Sequence, residues 1–144
     1  MIQFDTTRFG KLEVSEDKVI HFPNGLMGFP DIKSFILMDY KDTLLKWLQA
    51  TENPDIAFIV LHPFDFFPEY TIKIAPQVKD FLEIDDEKSL LSLAISRVEN
   101  NSVLVNLQGP LLVNPDTKKG IQVVNEDTRY TCRTPLTPMS AGVK

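Results

Sequence analysis

The sequence predicts a mainly β protein: a small antiparallel barrel-like domain with one or two short helices. Most apolar segments are short and rich in Val, Ile, Leu and Phe. Gly, Pro, Asn or Asp separate them at short intervals, which is typical of strands joined by turns. Such a set of strands removes its free edges by closing into a barrel or by bending strongly, so both architectures are open at this point.

The N-terminal half contains five candidate strands, at residues 12–14, 19–22, 35–38, 45–50 and 56–61. Asn24-Gly25 supplies a turn that tolerates positive φ, and Asn53-Pro54 separates the last two strands. The run 56–61 is apolar on both faces, as in a central strand. Trp47 lies within a predicted strand and is expected in the core.

The middle of the chain contains the one predicted helix. Residues 71–74 alternate between polar and apolar side chains, which predicts a strand before it. Pro76 then suits a first helical turn, and Val78, Phe81 and Leu82 recur at helical spacing. The acidic run at residues 85–87 is expected to end the helix.

Four more strands are predicted in the C-terminal part of the chain. Apolar residues alternate along 91–95 and 103–107, and Asn100-Asn101 is the expected hairpin turn between them. The final pair, 111–113 and 121–124, is joined by a polar loop at 114–120.

We expect one domain over residues 1–136. No linker, repeat or low-complexity tract interrupts it, and 144 residues suffice for a core without disulfides or metals. Residues 137–144 contain Pro138, Ser140 and Gly142, and their composition predicts a flexible C-terminal tail.

The charge excludes one class of function and favours another. Twenty acidic residues against fifteen basic ones give a net charge of −5. We therefore expect no direct contact with nucleic acid, because such binding depends on neutralising phosphates. An acidic protein can instead be steered onto basic partners, or can repel nucleic acid from a partner beside it.

Cysteine and histidine are scarce. Cys132 has no second cysteine to pair with, and His21 and His62 do not form a zinc-binding pattern with it. The N-terminus has neither a basic region nor an apolar run, and no apolar segment is long enough to span a bilayer. We expect a cytoplasmic protein without metal, cofactor or membrane contact.

No catalytic pattern emerges from the polar residues. Neither histidine lies in a nucleophile motif, and structural roles are the expectation for both. Adjacent carboxylates at 85–87 point in different directions, so a solvated cap is the expected role. Gly25 and Gly28 are not accompanied by the other residues of a phosphate-binding loop.

The segment 63–70 is unusual because four of its eight residues are aromatic: Phe64, Phe66, Phe67 and Tyr70. It also contains two prolines, Pro63 and Pro68. Proline at both ends breaks the sheet there. Two interpretations remain open. The rings plug one end of the barrel, or at least one ring is exposed as a contact for another protein.

Three segments resemble the FliW family of flagellar assembly factors. The first is Phe22-Pro23-Asn24-Gly25-Leu26-Met27-Gly28-Phe29. The second runs from Leu48-Gln49 through Asn53-Pro54-Asp55-Ile56-Ala57-Phe58 to His62-Pro63-Phe64 and Tyr70. The third comprises Val105-Asn106-Leu107-Gln108-Gly109-Pro110-Leu111, Val113-Asn114, Gly120, Gln122-Val123-Val124, Tyr130 and Pro135-Leu136. Two residues depart from the family pattern: Met27 stands where proline is usual, and Thr134 where histidine is common.

The resemblance implies a non-enzymatic regulator of the bacterial cytoplasm that binds flagellin and the translational regulator CsrA. Flagellin retained in the cell would occupy the protein. After flagellin export, the freed protein would bind CsrA and release flagellin messenger RNA for translation. Secretion would thereby control synthesis.

Candidate contact residues follow from these considerations. The aromatic residues Phe64, Phe66, Phe67 and Tyr70 come first, and the edge near Ile2 and Phe4 and the turn around Asn114 come second. Gly25, Gly28 and Pro110 are expected to shape turns.

Two other functions remain open. One is a small-ligand-binding or catalytic barrel with a pocket lined by the 63–70 aromatics. The other is a structural module that oligomerises through an exposed strand edge. For the regulator, a monomer is expected in the absence of partners.

Overall fold

The computed structural model describes residues 1–136, and the tail expected at 137–144 lies outside the described residues. Within residues 1–136, two α-helices accompany eleven strands. The strands are β1 (Ile2–Thr6), β2 (Gly10–Val14), β3 (Ile20–His21), β4 (Ser34–Asp39), β5 (Lys46–Ala50), β6 (Ala57–Leu61), β7 (Leu91–Glu99), β8 (Ser102–Val105), β9 (Leu111–Asn114), β10 (Lys119–Gln122) and β11 (Thr134–Leu136). The helices are α1 (Pro63–Phe66) and α2 (Pro76–Leu82).

Seven strands close into a barrel, which confirms the predicted fold class. Their order is β7-β6-β5-β4-β3-β10-β9, and β9 pairs again with β7. Neighbouring strands are antiparallel except β3 and β10, which run parallel and join at His21 and Lys119. Each of these seven strands therefore has a neighbouring strand on both sides.

Closure depends on the length of β7. Its first residues, Leu91 to Leu93, pair with β9, whereas Ser96 to Glu99 pair with β8 on the same edge. β8 in turn pairs with β11. One nine-residue strand therefore belongs both to the barrel and to a small extension of the sheet beside it.

The turn between β7 and β8 lies at the two asparagines where the sequence predicts it. Asn100 and Asn101 both have positive φ, 52° and 64°. Asparagine tolerates this left-handed backbone, and a pair of such residues matches the twist of the two strands. The predicted turn is confirmed.

The first hairpin was only partly predicted. β1 and β2 pair over their whole length, from Ile2 opposite Val14 to Thr6 opposite Gly10. Thr6 closes the turn, since its hydroxyl donates to the Gly10 carbonyl and accepts from the Phe9 amide, both at 2.8 Å. The Thr7 amide donates to the Pro54 carbonyl at 2.9 Å, which ties the turn to the barrel.

The predicted strand at residues 71–74 was wrong, although its backbone leads directly into helix α2. Alternation of side chains does not suffice for a strand, because a ladder also needs a neighbour at hydrogen-bonding distance. Helix α2 begins at Pro76 as predicted but ends earlier, at Leu82, where Glu83 adopts a left-handed cap with φ 56°. The acidic run instead begins a separate 3₁₀ turn, Glu87–Ser89, capped by Asp86.

The last predicted strand is displaced toward the N-terminus. β10 begins at Lys119 inside the predicted loop, because Gly120 pairs with Val113 and lies against Phe22. A Cβ atom at Gly120 would come within 2.6 Å of the Phe22 ring. Because Gly120 follows a run of polar and turn-forming residues, the sequence assigned it to the loop, although it pairs in the β9–β10 ladder.

The core lies on both faces of β6 and β7. Val60 and Leu93 point into the barrel with Phe22 and Phe35, while the next residues along their strands, Leu61 and Ala94, point outward into a second cluster. Burying each large side chain contributes about 1.5–3 kcal/mol. Trp47 is in neither cluster, so its expected core position was wrong; it is half-buried and stacks on Tyr40 with ring centroids 5.3 Å apart.

Tyr70 is the polar member of the second cluster. It is 3% exposed, and its hydroxyl donates to the Leu107 carbonyl at 2.7 Å. Burial raises the pKa of Tyr70 above its ordinary value of 10.0, because the phenolate would lose its hydration.

Replacing Gly25 by alanine is expected to lower the free energy of unfolding by roughly 2–4 kcal/mol. Gly25 has φ 69°, and a Cβ there would meet the Pro30 carbonyl oxygen at 2.5 Å. Gly10 is a matched control, because its φ is 71° but nothing lies within 4 Å of its Cβ position. Gly10→Ala is expected to cost only the backbone strain, about 1–2 kcal/mol. Equal costs in urea unfolding would show that the Pro30 contact is unimportant.

Tyr70→Phe is expected to lose about 1–3 kcal/mol at neutral pH, because the Leu107 carbonyl is left buried and unpaired. The unfolded Tyr70 ionises near pH 10 and the folded one only above it. The stabilisation by Tyr70 is therefore complete below about pH 10 and is lost as the pH rises further. Urea titrations from about pH 8 to pH 11.5 should show the gap between wild type and variant narrowing. A constant gap would refute the assignment.

Candidate functional site

The aromatic segment 63–70 folds into one helical turn followed by a tight turn. His62 ends the extended chain of β6, and Pro63 occupies the first position of α1, where its fixed φ suits a helix. The Phe67 amide donates to the Pro63 carbonyl at 2.8 Å, and the Tyr70 amide to the Phe67 carbonyl at 2.9 Å. Pro68 lacks an amide hydrogen and does not continue the helix.

This turn separates the four aromatic side chains. Phe66 and Tyr70 are 6% and 3% exposed and belong to the second core cluster. Phe67 is half-buried at the edge of that cluster, and Phe64 is 46% exposed. The segment thus both fills the core beside the barrel and presents one ring to solvent. Phe66 and Tyr70 act in packing, so Phe64 and Phe67 are the two that reach the surface.

Phe64 is surrounded by further apolar side chains. Its ring lies 5.6 Å from that of Tyr70. A shallow concavity of about 370 Å³ extends from it along Ile72, Ile74 and Leu90. We call these four residues, Phe64, Ile72, Ile74 and Leu90, the Phe64 patch.

A second concavity, of about 570 Å³, lies on the Phe67 side of the segment. Tyr130 forms its wall: its hydroxyl donates to the Glu69 carbonyl at 3.1 Å and accepts from the Thr71 amide at 3.2 Å. This is where the ligand-binding alternative would place its pocket. The Arg129 guanidinium at its rim is paired with Asp127, with Nη2 2.7 Å from Oδ2.

The Arg129–Asp127 pair also favours the ionised form of the carboxylate. Hydrogen bonds from the Arg129 side chain and backbone hold the pKa of Asp127 below its ordinary value. The Arg129 side chain is therefore already occupied by an internal partner.

The other predicted contact residues lie in separate elements. Ile2 and Phe4 lie on one face of the β1–β2 hairpin and are half-buried. Asn114 is buried at the end of β9; its Nδ2 donates to the Leu82 carbonyl at 2.8 Å, and its Oδ1 accepts from the Asp116 amide at 2.9 Å. Asn114 thus holds the 114–118 turn against the end of helix α2, and the structure does not bring it to the surface.

The glycine-rich turn at residues 25–29 is held by a side chain from β10. Gly25 and Gly28 have φ 69° and 87°, as expected of residues that shape a turn. Gln122 Oε1 accepts from the Met27 amide at 2.7 Å, and its Nε2 donates to the Gly109 carbonyl at 2.8 Å. A proline at this position would have no amide hydrogen, so the first of these bonds depends on a residue such as Met27.

A groove of about 530 Å³, which the sequence did not predict, lies between residues 71–78 and 123–127. Its apolar lining is Ile74, Ala75, Pro76, Val78, Leu112, Val123 and Val124. Helix α2 supplies one end of the wall and packs on β10, where the Lys119 ammonium lies 4.2 Å from the Phe81 ring centroid. We call it the 71–78 groove. The feature of the sequence that points to this groove is the apolar pair Val123-Val124, since Val124 is 58% exposed.

Residues 1–136 contain no cluster of three or more His, Cys, Asp or Glu side chains suited to a metal ion. Among the helices of this part of the chain, none has the length and apolarity needed to cross a membrane.

Comparison with known proteins agrees with the fold and with the motif segments. A family model described as FliW protein matches residues 3–136. Relatives named flagellar assembly factor FliW include one from Caldanaerobacter subterraneus subsp. tengcongensis, 32% identical over 94% of this chain and 93% of its own length. Another, from Geotalea uraniireducens, is 38% identical over 91% of this chain and 82% of its own.

A solved structure extends the similarity to three dimensions. The crystal structure of the flagellar assembly factor FliW superimposes with a TM-score of 0.87 at 29% identity, covering 96% of this chain and 99% of the other. The model match and the relatives each span nearly the whole chain. The chain therefore belongs to the FliW family of flagellar assembly factors.

Proposed function

We propose that this chain is a non-enzymatic regulator that binds flagellin and the translational regulator CsrA in the bacterial cytoplasm. Flagellin that awaits export occupies it. Once flagellin has left the cell, the free protein binds CsrA and relieves repression of flagellin synthesis. The observation that carries this proposal is the family match over residues 3–136, which includes all three motif segments.

The surface beside α1 supports a role in protein binding. Phe64 is 46% exposed, and the half-buried isoleucines of the Phe64 patch extend its apolar area. Exposed aromatic residues set in an apolar surround are typical of binding hot spots. We place partner contact at Phe64 and Phe67, with Ile2 and Phe4 of the hairpin as a second contact. The buried Phe66 and Tyr70 support that surface from within, whereas Asn114 supports the 114–118 turn.

The charge of the chain supports a mode of antagonism. A protein of net charge −5 that docks beside an RNA-binding surface repels the phosphate backbone without occupying the RNA site. The effect on RNA is then electrostatic and is coupled to binding of the protein at a separate position.

Size-exclusion chromatography with light scattering is expected to show that the chain alone is a monomer. The chain should co-elute with CsrA in one mixture and with flagellin in another. A mixture of all three should yield two binary complexes and no ternary one, because the partners alternate. Separate elution from both partners, each component being folded, would exclude this function and leave the small-ligand barrel to be tested.

Phe64→Ala is expected to weaken binding of at least one partner by about tenfold or more, as for an aromatic hot spot. Because the Phe64 side chain is partly exposed, the free energy of unfolding of the variant is expected to change little. Leu44→Ala is the matched control, because Leu44 is 54% exposed and lies outside the patch. Isothermal titration calorimetry gives both affinities. If Phe64→Ala and Leu44→Ala bind both partners like the wild type, the Phe64 patch is not the contact.

The RNA affinity of CsrA with this chain, divided by its affinity without the chain, is expected to be below one at low salt and to rise toward one as salt rises. The Debye length shrinks from about 10 Å at 0.1 M to about 3 Å at 1 M, which screens repulsion between exposed charges. Fluorescence anisotropy at each salt concentration measures the ratio, with calorimetry to verify that the complex persists. A ratio that is unchanged at 1 M would assign the antagonism to a conformational change.

A further inference from the structure

The segment 71–75 is an extended chain without ladder partners. Its ends are fixed: the Thr71 amide donates to Tyr130, the Thr71 carbonyl accepts from Asn125 Nδ2 at 2.9 Å, and Ala75 caps helix α2. Between them, the backbone amides and carbonyls of Ile72, Lys73 and Ile74 have no hydrogen-bond partner among residues 1–136. Such a row of free backbone groups is a template for another strand.

The opposite wall of the 71–78 groove also presents free backbone. The amides of Val123 and Asn125 donate to the Pro110 and Gln108 carbonyls, at 3.0 and 2.6 Å. Because successive residues of an extended chain point their backbone groups in opposite directions, those of Val124 point away from Pro110 and Gln108. The Val124 side chain is 58% exposed beside them.

The groove carries one charge of each sign that is not compensated internally. Lys73 lies on one wall and Glu126 on the other, both are exposed, and neither forms an ion pair within the described part of the chain. Asp127 is different, because Arg129 already neutralises it. An occupant that places an acid near Lys73 and a base near Glu126 is favoured by both walls.

A second copy of this chain fits less well. Antiparallel pairing of two 71–75 segments about their centres would set Lys73 opposite Lys73, and like charges directly opposite are destabilising. The apolar lining and the two opposite charges of the groove therefore favour an extended segment of another protein over a second copy of residues 71–75.

We propose that the 71–78 groove binds an extended peptide segment of a partner protein, which adds as a strand along Ile72–Ile74. The peptide alternates apolar residues with charged ones, an acidic side chain facing Lys73 and a basic one facing Glu126. This site goes beyond the proposed function, since it is defined without reference to flagellin or CsrA. It shares Ile72 and Ile74 with the Phe64 patch but does not include Phe64 or Phe67. Backbone hydrogen bonds supply affinity, and alternate side chains supply selectivity.

The test uses the acetylated and amidated peptide Ala-Val-Glu-Val-Lys-Val-Ala and the full chain. Nuclear magnetic resonance titration to about 1 mM peptide is expected to shift the amide signals of residues 72–74 and 124. Hydrogen exchange of the Lys73 amide should slow in the complex, because Lys73 points its backbone to the same side as Thr71, whose amide and carbonyl bond to Tyr130 and Asn125. The same peptide with all of its backbone amides N-methylated should not bind, because its backbone cannot donate a hydrogen bond. No shift at about 1 mM, or equal binding of the N-methylated peptide, would overturn the proposal.

Two variants test the contacts without disturbing the core. Val124→Glu is expected to weaken peptide binding about tenfold, whereas Val98→Glu, at a valine 63% exposed on β7, should not. Lys73→Glu should weaken binding of the original peptide and favour the peptide in which lysine replaces its glutamate. Equal affinities for both peptides in wild type and Lys73→Glu would refute the charge assignment. The chain alone suffices for these measurements, so failure here leaves binding of flagellin and CsrA to be judged separately.

Discussion

The architecture depends on β7 having two partners along one edge. Leu91–Leu93 close the barrel against β9, and the following half of the strand carries β8. β6 pairs with the middle of β7 on its other edge. Side chains of the two core clusters cover the sheet at this point on both faces. The inner face holds the barrel core, and the outer face receives the aromatic segment that follows β6. The Phe64 patch is therefore anchored to the part of the sheet on which closure depends.

The sequence predicted those elements whose local chemistry and tertiary environment agree. The hairpin at Asn100-Asn101 is one example, since asparagine adopts the left-handed backbone that the turn requires. The onset of α2 at Pro76 is another. Residues 71–74 show the limit. Their alternation is that of a strand, and only the absence of a neighbouring strand along them, which no local pattern encodes, leaves them unpaired.

The sequence predicted which segment forms the candidate site, but not which of its side chains point outward. Four aromatic residues in a short segment indicated both packing and exposure, yet only the helical turn at Pro63 decides that Phe66 points inward and Phe64 outward. Asn114 resembled a surface turn residue because a buried amide and a turn asparagine look alike in sequence. The 71–78 groove escaped prediction, since its walls come from segments about fifty residues apart that β10 and α2 bring together.

The parallel contact between β3 and β10 has a consequence for synthesis on the ribosome. His21 is made early, and its partner Lys119 is made only after all the other strands of the barrel. The nascent chain therefore carries β3 with one open side until β10 has been made, and folding must wait for a contact between distant parts of the chain. β3 is only two residues long. A short strand exposes few free backbone groups during that delay, which limits its capacity to pair with other nascent chains.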